Sequence, residues 1–175
     1  MTAAPSRLST SEVVTIAGLA AGGIFGVAGT MVSQASLRQV FWGIDGVGLV
    51  VATTLLAMRY LRRGEDVVAA GFLVFALGEG LLVSGNPAGL EGGVPSFGGG
   101  VALWAAGLLM VSGPATMPGW VRVAGMVAAA LFTVVAVRIH LGERLLATES
   151  PLPFFAYPAL VLTFAGWIVT LVQRR

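Results

Sequence analysis

The chain has 175 residues, of which 57% are hydrophobic and only 10% are charged, and its formal net charge is +2. Soluble domains contain roughly 25% charged residues, so this composition, with a mean hydropathy of +0.91, indicates an integral membrane protein. The ten basic residues are all Arg and lie scattered beside apolar stretches, which is typical of topology signals and argues against a nucleic-acid groove.

Six apolar segments follow one another, and most approach the ~20 residues that a helix needs to cross a bilayer. They cover 13–32, 40–58, 67–84, 97–112, 120–137 and 152–172. The predicted fold is therefore an all-α integral membrane protein, a compact bundle of six transmembrane helices in a single domain, 1–175. The fourth segment is the shortest, and the Gly-rich stretch 85–100 before it is expected to extend it or to form a loop or a lid.

The first segment begins after "STSE", which fits a capping box between Ser9 and Glu12. Its apolar stretch is longer than the ~7 to 15 residues of a signal peptide, so we expect a retained span. Gly18, Gly22 and Gly26 recur every four residues and predict a face for close helix packing. The expected partner helix belongs to the same chain, and a second copy or another subunit is the alternative.

The orientation follows from the Arg residues, because cytoplasmic loops retain positive charge during insertion. With six spans, three Arg residues fall on one side: Arg38, Arg138 and Arg144. The other seven share the opposite side: Arg7, Arg59, Arg62, Arg63, Arg122, Arg174 and Arg175. This asymmetry predicts cytoplasmic N and C termini in a multi-pass cell-membrane protein of the bacterial inner-membrane type.

Two acids interrupt the apolar segments: Asp45 in the second and Glu79 in the third. Both fall in the outer half of their spans, so they can share a depth. An unpaired acid at a bilayer centre costs about 2.5 to 3.5 kcal/mol. We expect an ion pair, hydrogen bonds, protonation or cavity water to offset that cost, and each of these predicts an inward-facing polar site.

The candidate site combines Asp45 and Glu79 with Trp42, Arg138 and Tyr157. Trp42 is three residues before Asp45 and shares its helical face. Arg138 is expected to point inward toward the acids, which leaves His140 at the headgroup level because the two residues are about 200° apart on a helix. Such a pocket would bind or transport a small solute, or handle protons.

Two other interpretations fit the same residues. The acids and Arg138 could form a structural ion-pair network, in a structural or assembly subunit of a larger membrane complex, and an intramembrane enzyme is a third possibility. Without Cys or Lys and with one His, thiolate, Schiff-base and bis-His haem chemistry are excluded. We expect no cofactor and no metal. The expected partners are the lipid bilayer and a small-molecule ligand, with a homo-oligomer or a membrane-complex partner left open.

Overall fold

The computed structural model describes residues 8–148 and 151–173, and this part of the chain is helical without any β-strand. Six of its helices are long and apolar enough to cross a membrane. They are α1 (Thr10–Met31), α2 (Ala35–Leu61), α3 (Asp66–Gly85), α5 (Val94–Ser112), α6 (Gly119–His140) and α7 (Pro151–Gln173). A short 3-10 turn (Asn86–Ala88) and the one-turn helix α4 (Gly89–Gly92) separate α3 from α5.

The prediction of six long apolar helices is confirmed for the described residues, with ends that differ from the expected ones by a few residues. The largest difference is at α2, which begins five residues earlier than expected, and α5 begins three residues earlier, at Val94. Pro95 lies in the first turn of α5, where a missing N–H costs nothing. Gly98 and Gly100 then pack closely against Ile139 and Leu82, so tertiary contact offsets the low helix propensity of glycine.

The small-residue face of α1 lies against α2. A side chain at Gly18 would meet the Gly48 carbonyl oxygen at 2.4 Å, so the two backbones touch directly there. Gly22 lies against Leu49, and Gly26 lies against the carboxyl group of Asp45. The face is therefore filled by the next helix of the same chain.

The six long helices close into a ring. Each packs against its neighbours in the chain, and α1 also contacts α7. Aromatic side chains fill the middle of this ring: Phe75 stacks on Trp104 at 5.3 Å between ring centroids, and Phe72 meets Trp167 edge-on at 4.8 Å. We call Phe72, Phe75, Trp104, Phe132, Phe164 and Trp167 the aromatic plug.

Alternating helix directions give the bundle two ends. At one end, which we call the Arg59 end, Arg59 pairs with Glu12 at 2.7 Å and joins the end of α2 to the start of α1. At the other, the Arg38 end, lie the α1–α2 turn, the segment 86–93 and the α6–α7 connection. The topology expectation also used Arg7, Arg174 and Arg175, which lie outside the described residues.

The segment 86–93 forms a cap over the Arg38 end. Gly89 allows the reversal within it, because its φ of 74° is a backbone conformation that suits glycine. The Gln39 side-chain amide donates to the Asn86 carbonyl at 3.1 Å, and Glu91 pairs with Arg144 at 2.6 Å. These contacts attach the cap to α2 and to the α6–α7 connection.

Candidate functional site

A cavity of about 110 Å³ lies inside the ring, between the aromatic plug and the cap. Residues from α1, α2, α3, α5 and α7 line it, together with part of the cap. A water molecule needs roughly 10 to 15 Å³ of such space, so the cavity has room for several waters or one small solute. Exposed lining residues at the mouth, among them Ala35 and Gln39, connect it to the surface at the Arg38 end.

Asp45 lies on the inner wall of this cavity, and its residue is 8% exposed. It reaches the site from the middle part of α2, at the point where α1 carries Gly26. The absence of a side chain at Gly26 leaves room for the carboxyl group, whose oxygens lie 3.0 and 3.4 Å from the position that a Cβ would take. One carboxyl oxygen, Oδ1, is buried without any hydrogen-bond partner.

Glu79 faces the same cavity from α3 and is only 2% exposed. Its Oε1 lies over Gly46 of α2, 3.2 Å from where a Cβ would stand. Its Oε2 is buried without a hydrogen-bond partner. The Trp104 indole lies close enough to interact with this carboxyl group, yet its N–H does not reach the geometry of a hydrogen bond. Glu79 therefore has a potential hydrogen-bond donor beside it, but the two groups do not form a hydrogen bond.

The two acids belong to one electrostatic unit. Asp45 and Glu79 are close enough for each negative charge to act on the other, and both act on the Tyr157 hydroxyl of α7, which also lines the cavity. Like charges inside a bundle of low dielectric repel strongly. Nothing among the described ion pairs joins either acid to an Arg, so within this part of the protein no ion pair offsets the repulsion that arises when both acids are charged.

Trp42 lines the outer part of the cavity. Its indole N–H donates to the Gly26 carbonyl at 3.3 Å, and its ring covers Gly29. The Arg38 guanidinium lies over the same ring, 5.8 Å from its centroid, and donates to the Val32 carbonyl at 3.2 Å. These contacts hold one aromatic wall and one cation at the mouth.

Arg138 differs from the expectation that it points toward the acids. Its guanidinium pairs with Glu143, its side chain is 40% exposed, and it is absent from the cavity lining. The same pairing lowers the pKa of Glu143 below its ordinary value. A local partner in the turn that follows α6 therefore holds Arg138 at the surface, where solvent reduces the cost of the charge.

His140 also lies apart from the acids. Its ring Nδ1 is 2.8 Å from the Ala136 carbonyl oxygen, within its own helix. It lines a separate shallow groove between α5 and α6, so the structure does not bring a histidine and an acid together in the cavity. The described residues contain no group of three or more His, Cys, Asp or Glu side chains that could hold a metal ion.

Arg38, Trp104 and Phe164 also line the cavity, although the sequence did not place them in the candidate site. Arg38 precedes Asp45 by seven residues, which places both on one face of α2. The helical period could therefore have assigned Arg38 to the site. Trp104 and Phe164 are two of several aromatics in apolar helices. Only the packing of α5 and α7 against α3 distinguishes them.

No protein-family model, no curated protein and no solved structure matches this chain. The geometry and chemistry of the cavity therefore carry the functional argument. Of the five residues expected to form the site, four line the cavity, namely Trp42, Asp45, Glu79 and Tyr157.

Proposed function

We propose that this chain is a multi-pass cell-membrane protein that binds a small solute in a pocket open to the outside. Asp45 and Glu79 recognise the solute, and Trp42 and Tyr157 form part of the wall. The protein is of the bacterial inner-membrane type, with cytoplasmic termini, so that the Arg38 end faces outward. One compact domain carries the whole site.

The observation that carries this proposal is the pair of acids in the cavity lining, Asp45 and Glu79, each with one carboxyl oxygen buried without a hydrogen-bond partner. Buried polar groups are nearly always hydrogen-bonded, and an intramembrane acid is a functional-site candidate by default. A ligand or water in the cavity would supply the missing partners. A structural network would instead be expected to satisfy the acids from within the protein.

Transport is a further step beyond binding. The aromatic plug separates the cavity from the Arg59 end, so a solute could cross only if the plug opened. We propose that transport requires a second conformation, in which the aromatic plug is open.

The alternative function, a structural or assembly subunit of a larger membrane complex, would use a different surface. Five of the side chains that line the shallow groove between α5 and α6 are small, namely Ala102, Ala105, Ala106, Thr133 and Ala136, and the lining is completed by Leu109, Val137, His140 and Leu141. Small residues let membrane helices approach each other closely, so a helix of another protein could pack there. Gly18, Gly22 and Gly26 do not offer such a groove, because α2 covers them.

The test of solute binding is thermal melting of the detergent-purified protein against a library of small solutes. The wild type is compared with the double variant Asp45→Asn, Glu79→Gln and with the control Asp66→Asn, which makes the same chemical change at an exposed helix start. We expect at least one solute to raise the melting temperature of the wild type and the control but not of the double variant, since a ligand stabilises the state that it binds. A library without such a solute, together with a lower melting temperature for the double variant, would favour the structural subunit.

A further inference from the structure

The unpartnered oxygens identify what the pocket lacks. An ionised carboxyl group accepts hydrogen bonds and donates none, so Asp45 and Glu79, each with one oxygen buried without a partner, both require a donor when they are charged. Both residues are more than nine-tenths buried, and both line the cavity. A ligand that donates at least two hydrogen bonds there would serve both carboxyl groups at once.

The charge around the two acids favours one kind of hydrogen-bond donor on the ligand. Two acids act on each other at the inner end of the cavity, and the one Arg among the lining residues, Arg38, is held at the mouth by Trp42 and the Val32 carbonyl. The inner end thus contains two potential negative charges and no cation from the described residues. Charge-assisted hydrogen bonds are roughly twice as strong as neutral ones, so a cationic donor fits this end better than a neutral one.

The side chains that line the cavity suit an organic cation better than a metal ion. Trp104, Tyr157 and Phe164 line the inner part of the cavity beside the acids. Aromatic faces attract ammonium groups and also pack against apolar groups. A hard metal ion such as Ca²⁺ needs six to eight oxygen ligands, whereas this part of the cavity presents two carboxyl groups among aromatic and aliphatic side chains.

We infer that the pocket takes a small protonated primary amine. Its ammonium N–H groups donate to the carboxyl groups of Asp45 and Glu79, and its apolar body packs against Trp104, Tyr157 and Phe164. The volume of about 110 Å³ limits the ligand to a few non-hydrogen atoms if waters accompany it. This inference rests on the proposed solute binding and names the class of solute.

The test compares amines with alcohols of the same carbon skeleton, from methylamine and methanol up to 3-methylbutylamine and 3-methylbutan-1-ol. Each pair differs in charge while its shape is nearly constant. Melting temperatures are measured at pH 7 for the full-length wild type, for Asp45→Asn with Glu79→Gln, and for Asp66→Asn. Since detergent effects of the additive act on all three proteins, the difference between wild type and double variant reports the site.

We expect at least one amine to raise the melting temperature of the wild type and of Asp66→Asn by about 3 °C or more at saturation. The matching alcohol should give less than a third of that shift, and the double variant should show none. Equal shifts for amine and alcohol, or an amine shift that survives in the double variant, would overturn the inference.

The outcomes also separate this inference from the proposed function. If every amine fails while a neutral or anionic solute from the library binds the wild type and not the double variant, the amine inference is wrong and solute binding stands. If neither the amines nor any library solute binds, both are wrong.

Discussion

Among single residues, two buried carboxyl groups are expected to lower the stability of the ligand-free protein. Asp45 and Glu79 are buried, each has an oxygen without a partner, and the two are close enough to repel when both are charged. Leaving a buried polar group unsatisfied costs about 1 to 3 kcal/mol. Residues kept at such a cost are those expected to act on a ligand.

This cost leads to a prediction about the amide variants. Asp45→Asn and Glu79→Gln preserve the shape of each side chain and remove its charge, so each should raise the unfolding free energy of the ligand-free protein, by about 1 kcal/mol. The double variant should gain less than the sum of the single variants, because the first substitution already removes the repulsion. Thermal or denaturant unfolding of all four proteins in one double-mutant cycle measures both effects.

The opposite sign would contradict this reading of the residues. In a satisfied structural network, removal of one partner destabilises a protein by about 3 to 5 kcal/mol. A loss of that size in both single variants would mean that the acids hold the helices together. Asp66→Asn, at the exposed start of α3, serves as the control for the chemical change itself.

The two acids of the site could be predicted from the sequence, but the direction of the Arg138 side chain could not. A charge inside an apolar segment is visible in the sequence and has few physical explanations, so Asp45 and Glu79 could be chosen from it. The direction of Arg138 depends on which partner is nearer. Glu143, in the turn after α6, provides an exposed ion pair, and a helical period cannot predict that a following turn brings this acid back.

At the scale of elements, the closest packing joins α1 to α2. Gly18 faces the backbone of Gly48, and Gly26 leaves the space that the Asp45 carboxyl group occupies. The same glycine stripe therefore sets the distance between the helices and the shape of one cavity wall. A change in this contact should affect both stability and the site.

Gly18→Ala tests that contact. The added Cβ would lie 2.4 Å from the Gly48 carbonyl oxygen, which is backbone and can move only if the helices separate. We expect a loss of about 1 to 3 kcal/mol, the usual cost of overpacking. The matched control is Gly80→Ala in α3, where nothing lies within 4 Å, so the higher helix propensity of Ala should leave stability unchanged or raise it by up to about 1 kcal/mol.

Unfolding curves of Gly18→Ala and Gly80→Ala measure the difference in unfolding free energy between the two variants. Equal stability of Gly18→Ala and Gly80→Ala would show that α1 and α2 do not pack through this face.

The helices could be predicted from the sequence more fully than the connections. Long apolar segments set the spans to within a few residues, because membrane-spanning length and composition are strong constraints. The cap was harder to predict: the stretch 85–100 is rich in Gly, which has low propensity for every regular element. Its helical parts depend on contacts with distant residues, such as Ile139 against Gly98 and Gln39 with the Asn86 carbonyl.

At the scale of the whole molecule, the six antiparallel helices bring Thr10 and Gln173 to the same end. Together with the Arg asymmetry of the sequence, this favours an Arg59 end in the cytoplasm. The cavity, which opens at the Arg38 end, would then receive solutes from outside. The orientation and the outward-facing pocket are thus one linked proposal.

Reporter fusions test the orientation. Green fluorescent protein fused after Arg175 should fluoresce, because it folds in the cytoplasm, and alkaline phosphatase fused after Gly142 should be active, because it requires the outer compartment. Fusion of the phosphatase after Gly64, in the α2–α3 turn, provides the inactive control. The reverse pattern in all three fusions would place the pocket on the cytoplasmic side.

The proposed function requires that water can reach the cavity from outside. The chain contains no Cys, so single cysteines can be placed in the otherwise natural sequence: Leu82→Cys in the cavity wall, Ala69→Cys in the dry core, and Arg62→Cys at the Arg59 end. Intact cells are treated with a charged, membrane-impermeant thiol reagent, which reacts with the thiolate in water.

We predict that Leu82→Cys is labelled in intact cells, that Ala69→Cys is not labelled, and that Arg62→Cys is labelled only after permeabilisation. A solute that binds at Asp45 and Glu79 should slow the labelling of Leu82→Cys. If Leu82→Cys is unreactive from outside while a cysteine in the exposed α1–α2 turn, Ser33→Cys, reacts under the same conditions, the cavity is closed to the outside and the proposed outward-facing binding pocket is wrong.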